Sequence, residues 1–90
     1  MKTDFYKVGK NYLIRTITMI YTGEFVAIEG DNLLMKNVAW IPETARWMKT
    51  VSEGEFNEVE PYPENSIVAI NRQAILDVVQ VSWKLPKEQK

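Results

Sequence analysis

The sequence predicts a small, mostly β domain, a β-rich α+β fold in which five strands form a closed or partly open barrel and one short helix follows the third strand. Three observations predict it. Runs rich in β-branched and aromatic residues recur at short intervals, as at residues 12–21, 33–41 and 75–83. Gly, Asn, Asp and Pro punctuate them at residues 8–11, 30–32 and 61–65. Short strands following one another in sequence favour closure, which removes aggregation-prone edges.

Residues 8–11, Val-Gly-Lys-Asn, read as a turn. The run YLIRTITMIY, residues 12–21, is the first strand, with no Gly or Pro in it. Alternation places Leu13, Arg15, Ile17, Met19 and Tyr21 on one face and Tyr12, Ile14, Thr16, Thr18 and Ile20 on the other. Neither face is cleanly polar, as expected of a central strand covered on both sides. Thr22 and Gly23 are expected to break the run before a second strand, EFVAIE, residues 24–29. Gly30, Asp31 and Asn32 form a turn with a mechanism: Gly and Asn accept positive φ, and Asp bonds its own backbone. The third strand, LLMKNVAWI, residues 33–41, completes an antiparallel meander and is expected to end at Pro42.

Residues 43–54, ETARWMKTVSEG, read as the short helix. Thr44 is the expected N-cap, since its hydroxyl can accept from an N–H of the first turn. Ala45, Met48 and Val51 recur at helical spacing and are expected to face the core. Gly54 suits the left-handed position past the helix end. A helix of about two turns must pack on the sheet to persist. A short strand or extended piece at 56–60 leads into a loop around Pro61 and Pro63. Strands at 67–70 and 75–83 follow, with Asn71, Arg72 and Gln73 as a tight turn between them. Ala74, Ile75, Val78 and Val79 also fit helical spacing, but the β-branched content of the run favours strand. Pro86 and the polar end read as a frayed tail.

Ninety residues support one domain, residues 1–90. A chain of this size buries roughly 60–65% of the surface its unfolded form exposes, and such a domain often gains from oligomerisation. The net charge of −1 gives no bulk signal for nucleic acid. The charge is uneven: Glu53, Glu55, Glu58, Glu60 and Glu64 cluster in the middle, with Lys2, Lys7, Lys10 and Arg15 at one end and Lys84, Lys87 and Lys90 at the other. Middle and ends can attract one another between subunits, or simply be solvated faces.

The sequence has no cysteine and no histidine. Disulfide and thiolate chemistry are thereby excluded, zinc loses its two favoured ligands, and Ser-His-Asp or Cys-His catalysis is impossible. General acid–base chemistry near neutral pH loses its usual carrier. No Gly-rich phosphate loop, nucleophile elbow or EF-hand pattern occurs, and no cofactor is implied. The apolar runs fall short of the ~20 residues that cross a bilayer. The N-terminal MKTDFYKVGKN lacks the apolar region of a secretory signal, so a cytoplasmic location is expected.

The run YTGEFVAIEGDNLLMKNVAWI resembles the first motif of Sm-like proteins: strand, turn, strand, with Gly early and Asp at the turn. IVAINRQAIL resembles their second motif. The resemblance implies a small Sm-like or SH3-like β-barrel. The position that carries a base-contacting Asn in that family holds Met35, and the Arg-Gly pair falls on Asn71 and Arg72. The resemblance therefore implies barrel topology and leaves RNA the less favoured partner. The stretches IRTITMIYTGE, AWIPETARW and NEVEPYP resemble a family of short proteins of bacteriophage and prophage genomes. That resemblance implies an accessory viral protein working inside a bacterium by binding, including capture of host defence signals.

Three groups of residues are candidates for function. The first is Arg46 with Trp40 and Trp47. Arg offers bidentate contacts to phosphate, Trp a stacking face for a base, and a helix start offers free N–H groups. The plainer assignment makes both tryptophans core and Arg46 a surface charge. The second is Arg15, Thr16, Thr18, Tyr21 and Thr22. An Arg in an apolar strand face needs a ligand or a partner, and Glu58 or Glu60 is the expected partner. The third is Glu58 and Glu60 with Asp31 and Glu29, carboxylates that could hold Mg²⁺ or Ca²⁺ but lack metal-loop spacing, so that solvated charge is the plainer assignment.

The expectation is a non-enzymatic, homo-oligomeric binding protein. It would hold a small anionic ligand, such as a host cyclic nucleotide, at Arg15, Thr16, Thr18, Tyr21, Trp40, Arg46 and Trp47, with neither metal nor cofactor. The alternative is an Sm-like adaptor for a host protein or RNA. No membrane partner is expected.

Overall fold

The computed structural model describes residues 5–90; Lys2, one of the basic N-terminal residues, lies outside them. The described chain is an antiparallel sheet of six strands, one more than the sequence suggests, with one short helix. The strands are β1 (Asn11–Thr16), β2 (Ile20–Glu29), β3 (Asn32–Thr44), β4 (Phe56–Pro61), β5 (Ile67–Asn71) and β6 (Ile75–Val81), with α1 (Trp47–Glu53) between β3 and β4. The order across the sheet is β4-β3-β2-β1-β6, and β5 pairs separately with β3.

The sixth strand is the short piece expected at 56–60, which pairs with β3 as β4. The first apolar run, however, is not one strand. β1 stops at Thr16, and the chain reverses before β2 starts at Ile20. The reversal needs no Gly or Pro because Thr16 supplies it. Its hydroxyl accepts from the Met19 N–H at 2.9 Å and donates to the Met19 carbonyl at 2.8 Å, while its own N–H donates to that carbonyl at 2.8 Å. The faces therefore swap beyond the turn. Tyr21 lies opposite Ile14 and Ile20 opposite Arg15, so Tyr21 does not share a face with Leu13.

Thr22 and Gly23 do not break a strand; they lie within β2. Thr22 is fully buried and donates to the Tyr12 carbonyl at 2.9 Å. Gly23 sits where β3 comes close: a Cβ there would lie 2.8 Å from Val38 Cγ2. Opposite it, the pairing of β2 with β3 slips by one residue, and Asn37 takes φ 52°. This bulge places Met35 and Val38 in the same core although three positions separate them.

β3 also runs past Pro42 instead of ending there. Pro42 falls at a further register shift, between the pairs Trp40–Glu60 and Glu43–Glu58, where a missing N–H breaks no ladder bond. The length lets β3 serve two partners on its outer side: residues 32–36 pair with β5, and residues 39–44 with β4.

Two cores result, one on each side of the central strands. Tyr12, Ile14, Phe25, Leu33, Met35, Val38 and Ile70 form the first; Leu13, Ala39, Ile41, Phe56, Val59 and Val81 form the second. Consecutive burial of Tyr12, Leu13 and Ile14 is the signature of a strand covered on both faces, as the first run implies. Met35 is fully buried in the first core.

α1 is shorter than residues 43–54. Its N-cap is Arg46, which makes no side-chain cap bond, and Thr44 belongs to β3. The capping is done from within: Thr50, fully buried, accepts from the Ala45 N–H at 3.1 Å and donates to the Glu55 carbonyl at 2.8 Å. Val51 packs on the second core with Trp47, whereas Met48 is 63% exposed and does not face it. Gly54 ends the helix at φ 71°, as its position implies. Residues 72–74 form a 3₁₀ turn capped by the Asn71 side chain, and residues 75–81 are strand, not helix. Among the described residues no helix is long and apolar enough to cross a membrane.

Candidate functional site

The turn between β1 and β2 protrudes beside the middle of β3, and a shallow groove lies between them. Arg15, Thr16, Ile17, Thr18, Met19 and Ile20 form one wall, Trp40, Ile41 and Pro42 the other, and Leu76 of β6 stands at the end. Including the solvent at its mouth, the groove has an empty volume of about 650 Å³. The Ile17 N–H donates to the Ala74 carbonyl at 3.0 Å and ties the turn to the start of β6. Ile17 and Leu76, at 70% and 66% exposure, give the groove an apolar rim. Chain sterics alone do not require such exposure of two large aliphatic side chains on neighbouring elements.

Arg15 is the charged group of this groove. It pairs with Asp77, directly opposite on β6, and not with Glu58 or Glu60. The pair is bidentate: Nε donates to Asp77 Oδ1 at 2.7 Å and Nη2 donates to Oδ2. The Arg15 guanidinium carbon also stands 4.7 Å from the centroid of the Trp47 ring, within cation–π range. Both members of the ion pair remain well exposed, their side chains 41% and 51% accessible. The bonds from Arg15 hold the Asp77 carboxyl below its ordinary range and hold the guanidinium proton more firmly still. Glu58 and Glu60 were attractive partners only because their segment is acidic; β4 lies at the far end of the sheet from β6.

The structure brings Arg15, Thr16, Thr18 and Trp40 to one groove and adds Trp47 through its stacking on Arg15. Thr16 has its hydroxyl committed to Met19, while Thr18 is exposed. Thr16 ends β1 and Thr18 lies in the turn beyond it, so the two do not form a row on a strand face. Tyr21 is turned to the first core and its hydroxyl donates to Met19 Sδ at 3.0 Å. Burial, and after it the neighbouring Tyr62, push its phenol upward. Arg46 is exposed at the start of α1 and does not line the groove. Ile17, Met19, Pro42, Leu76 and Asp77 were missed as site residues. The turn at Thr16, which the apolar composition of the run conceals, would reveal Ile17 and Met19; Pro42, Leu76 and Asp77 join them only through the pairing of distant strands.

No group of three or more carboxylates converges among the described residues. Glu60 instead accepts from the Gln89 side chain at 3.1 Å, and Asp31 from Gln73 at 3.4 Å. Comparisons of the chain with protein-family models, with curated proteins and with solved structures give no significant match.

Proposed function

We propose that this domain acts by binding rather than by turnover, and that the groove beside the β1–β2 turn takes a small anionic ligand of nucleotide type. One observation carries this reading: a half-exposed arginine backed by Trp47, the Trp40 ring and an exposed threonine meet at one surface groove. Arg15 uses Nε and Nη2 on Asp77, which leaves the donors on Nη1 for a phosphate oxygen. Trp40 is half-buried in the opposite wall and offers a ring face to a base. The resemblance to bacteriophage proteins makes the ligand a host cyclic nucleotide signal, held without cleavage in the bacterial cytoplasm.

We read the protein as a homo-oligomer built on a small Sm-like barrel. The barrel part of that reading is supported by the four register shifts in the ladders of β3 with β2 and β4, since bulges increase twist, and by its pairing with both β4 and β5 on one side. Calorimetric titration against a panel of linear and cyclic nucleotides tests the ligand. One member is expected to give saturable heat that Arg15→Gln or Trp40→Ala removes, and silence across the panel overturns the reading. Native mass, read with the ultraviolet spectrum of the purified protein, tests the assembly and any co-purifying nucleotide.

A second reading rests on the rim. Ile17, Met19 and Leu76 are exposed apolar side chains around an open groove, a surface that also suits an apolar segment of a host protein. Ile17→Ser with Leu76→Ser separates the two. The pair is expected to leave nucleotide heat in place if phosphate and base supply the contacts, and to abolish capture of a protein partner if the rim does.

A further inference from the structure

We propose that the outer edge of β4 is a docking site for an extended, lysine-bearing strand of a partner polypeptide, held in cis by the chain's own residues 84–90. β4 borders β3, whose Trp40, Ile41 and Pro42 wall the groove, but no β4 residue lines the groove, and the outer edge of β4 faces away from β3.

β4 is an edge strand with β3 on one side only. On its other side Val59 and Lys90 exchange both backbone bonds, each N–H donating to the other's carbonyl at 2.9 Å. Such a reciprocal pair is the repeating unit of an antiparallel ladder. The Gln89 side chain adds a bond to Glu60 at 3.1 Å. The tail is moored at its other end by Trp83, whose indole N–H donates to the Val51 carbonyl at 2.8 Å and whose ring meets Phe56 edge-on at 5.5 Å. Between these moorings the tail arches away from β4. It leaves a cleft lined by Gly54, Glu55, Phe56 and Val59 on one side and by Lys84, Pro86, Lys87, Glu88 and Lys90 on the other.

The β4 edge thus accepts an added strand, and residues 84–90 use one residue pair of it. The chemistry of the preferred strand is written in the two segments. Glu58 and Glu60 are exposed on β4, with Glu55 beside them paired to Lys49 at 3.8 Å, while the tail brings Lys84, Lys87 and Lys90 against the single acid Glu88. Among the described residues no ion pair closes between these glutamates and these lysines. The attraction therefore acts at long range, and a strand that follows β4 over several residues gains both ladder bonds and closer charge pairs. The tail competes because it is tethered: linkage by a few residues gives an effective concentration in the millimolar range. An edge covered in this way is also protected from indiscriminate pairing.

The test uses the full chain and a fluorescein-labelled synthetic peptide with the sequence of residues 84–90, followed by anisotropy at low salt. In Lys84→Glu/Lys87→Glu/Lys90→Glu the tail is still present but repelled from β4. This variant is expected to bind the peptide at least about tenfold more tightly than the parent chain, since the tethered competitor is gone. Adding Glu58→Lys/Glu60→Lys restores attraction in cis and is expected to remove peptide binding again. A peptide N-methylated at the amide of its last lysine lacks the donor used by Lys90 and is expected not to bind. Equal binding by parent and variant, no binding by either, or undiminished binding of the N-methylated peptide overturns the proposal. Amide exchange at Val59 gives a reading independent of the label. It is expected to quicken in the triple variant and slow when peptide is added, and a rate unchanged by both also overturns the proposal.

Discussion

The ring of Trp83 lies directly over the α-carbon of Gly54, so close that a Cβ on Gly54 would stand 2.7 Å from Cδ2 of the indole. The helix end and the chain after β6 are fastened together at this contact. The indole N–H bonds the Val51 carbonyl one turn back, and the ring packs on Phe56 of β4. The third tryptophan of the sequence is a structural clamp, whereas Trp40 lines the groove and Trp47, packed on the second core, backs Arg15.

Gly54→Ala meets two penalties, the left-handed backbone at φ 71° and the clash with Trp83. Together these are expected to destabilise the domain by about 2–5 kcal/mol. Gly30→Ala, at φ 59° with open space around it, meets only the first and is expected to cost about 1–2 kcal/mol. Urea unfolding of the two variants checks the difference. Equal losses would mean that the indole gives way freely.

Thr50 ties the start of α1 to its exit with a single hydroxyl. Thr50→Val keeps the shape and strands a buried N–H and a carbonyl, with an expected loss of about 1–3 kcal/mol. Thr50→Ser keeps both bonds and is expected to lose less. Thermal unfolding of the pair separates the hydroxyl from the methyl.

The Arg15–Asp77 pair makes stability depend on acid. The folded Asp77 carboxyl is depressed, so its contribution is present above the ordinary carboxylate range, about pH 4, and is lost as pH falls through the depressed value. Asp77→Asn is therefore expected to lower the melting temperature slightly at neutral pH and not at all in strong acid. The difference should shrink with added salt because both partners are exposed. A difference that grows on acidification contradicts the pairing.

Thr16→Val removes the hydroxyl that closes the β1–β2 turn from both sides, with an expected cost of about 1 kcal/mol. If the turn forms the groove wall, the same variant weakens ligand binding beyond its effect on stability. Calorimetry beside a denaturation curve measures both.

Much of the fold was legible in the residues. The Gly30 turn, the β4 stretch, the strand rather than helix after Gln73, and the Gly54 stop all follow from local chemistry. What escaped depends on contacts distant in sequence or on side chains acting as backbone. The turn after Thr16 hides in an apolar run because a hydroxyl replaces the usual glycine. β3 outruns Pro42 because a bulge leaves that N–H unneeded. Arg15 chooses Asp77, 62 residues away, because β1 pairs with β6, and charge content near Glu58 carries no information about that register. The groove was half legible for the same reason: Arg15 and Trp40 stand out by type, while Leu76 and Ile17 matter only by position.

The most direct measurement is a map of amide and indole chemical shifts of the labelled full chain during titration with each nucleotide of the panel. Changes are expected at residues 15–20, the Trp40 indole, Leu76 and Asp77, with the Trp47 indole following Arg15. A spectrum unmoved by every nucleotide, or shifts centred on β5 and the Gly30 turn, contradicts that expectation.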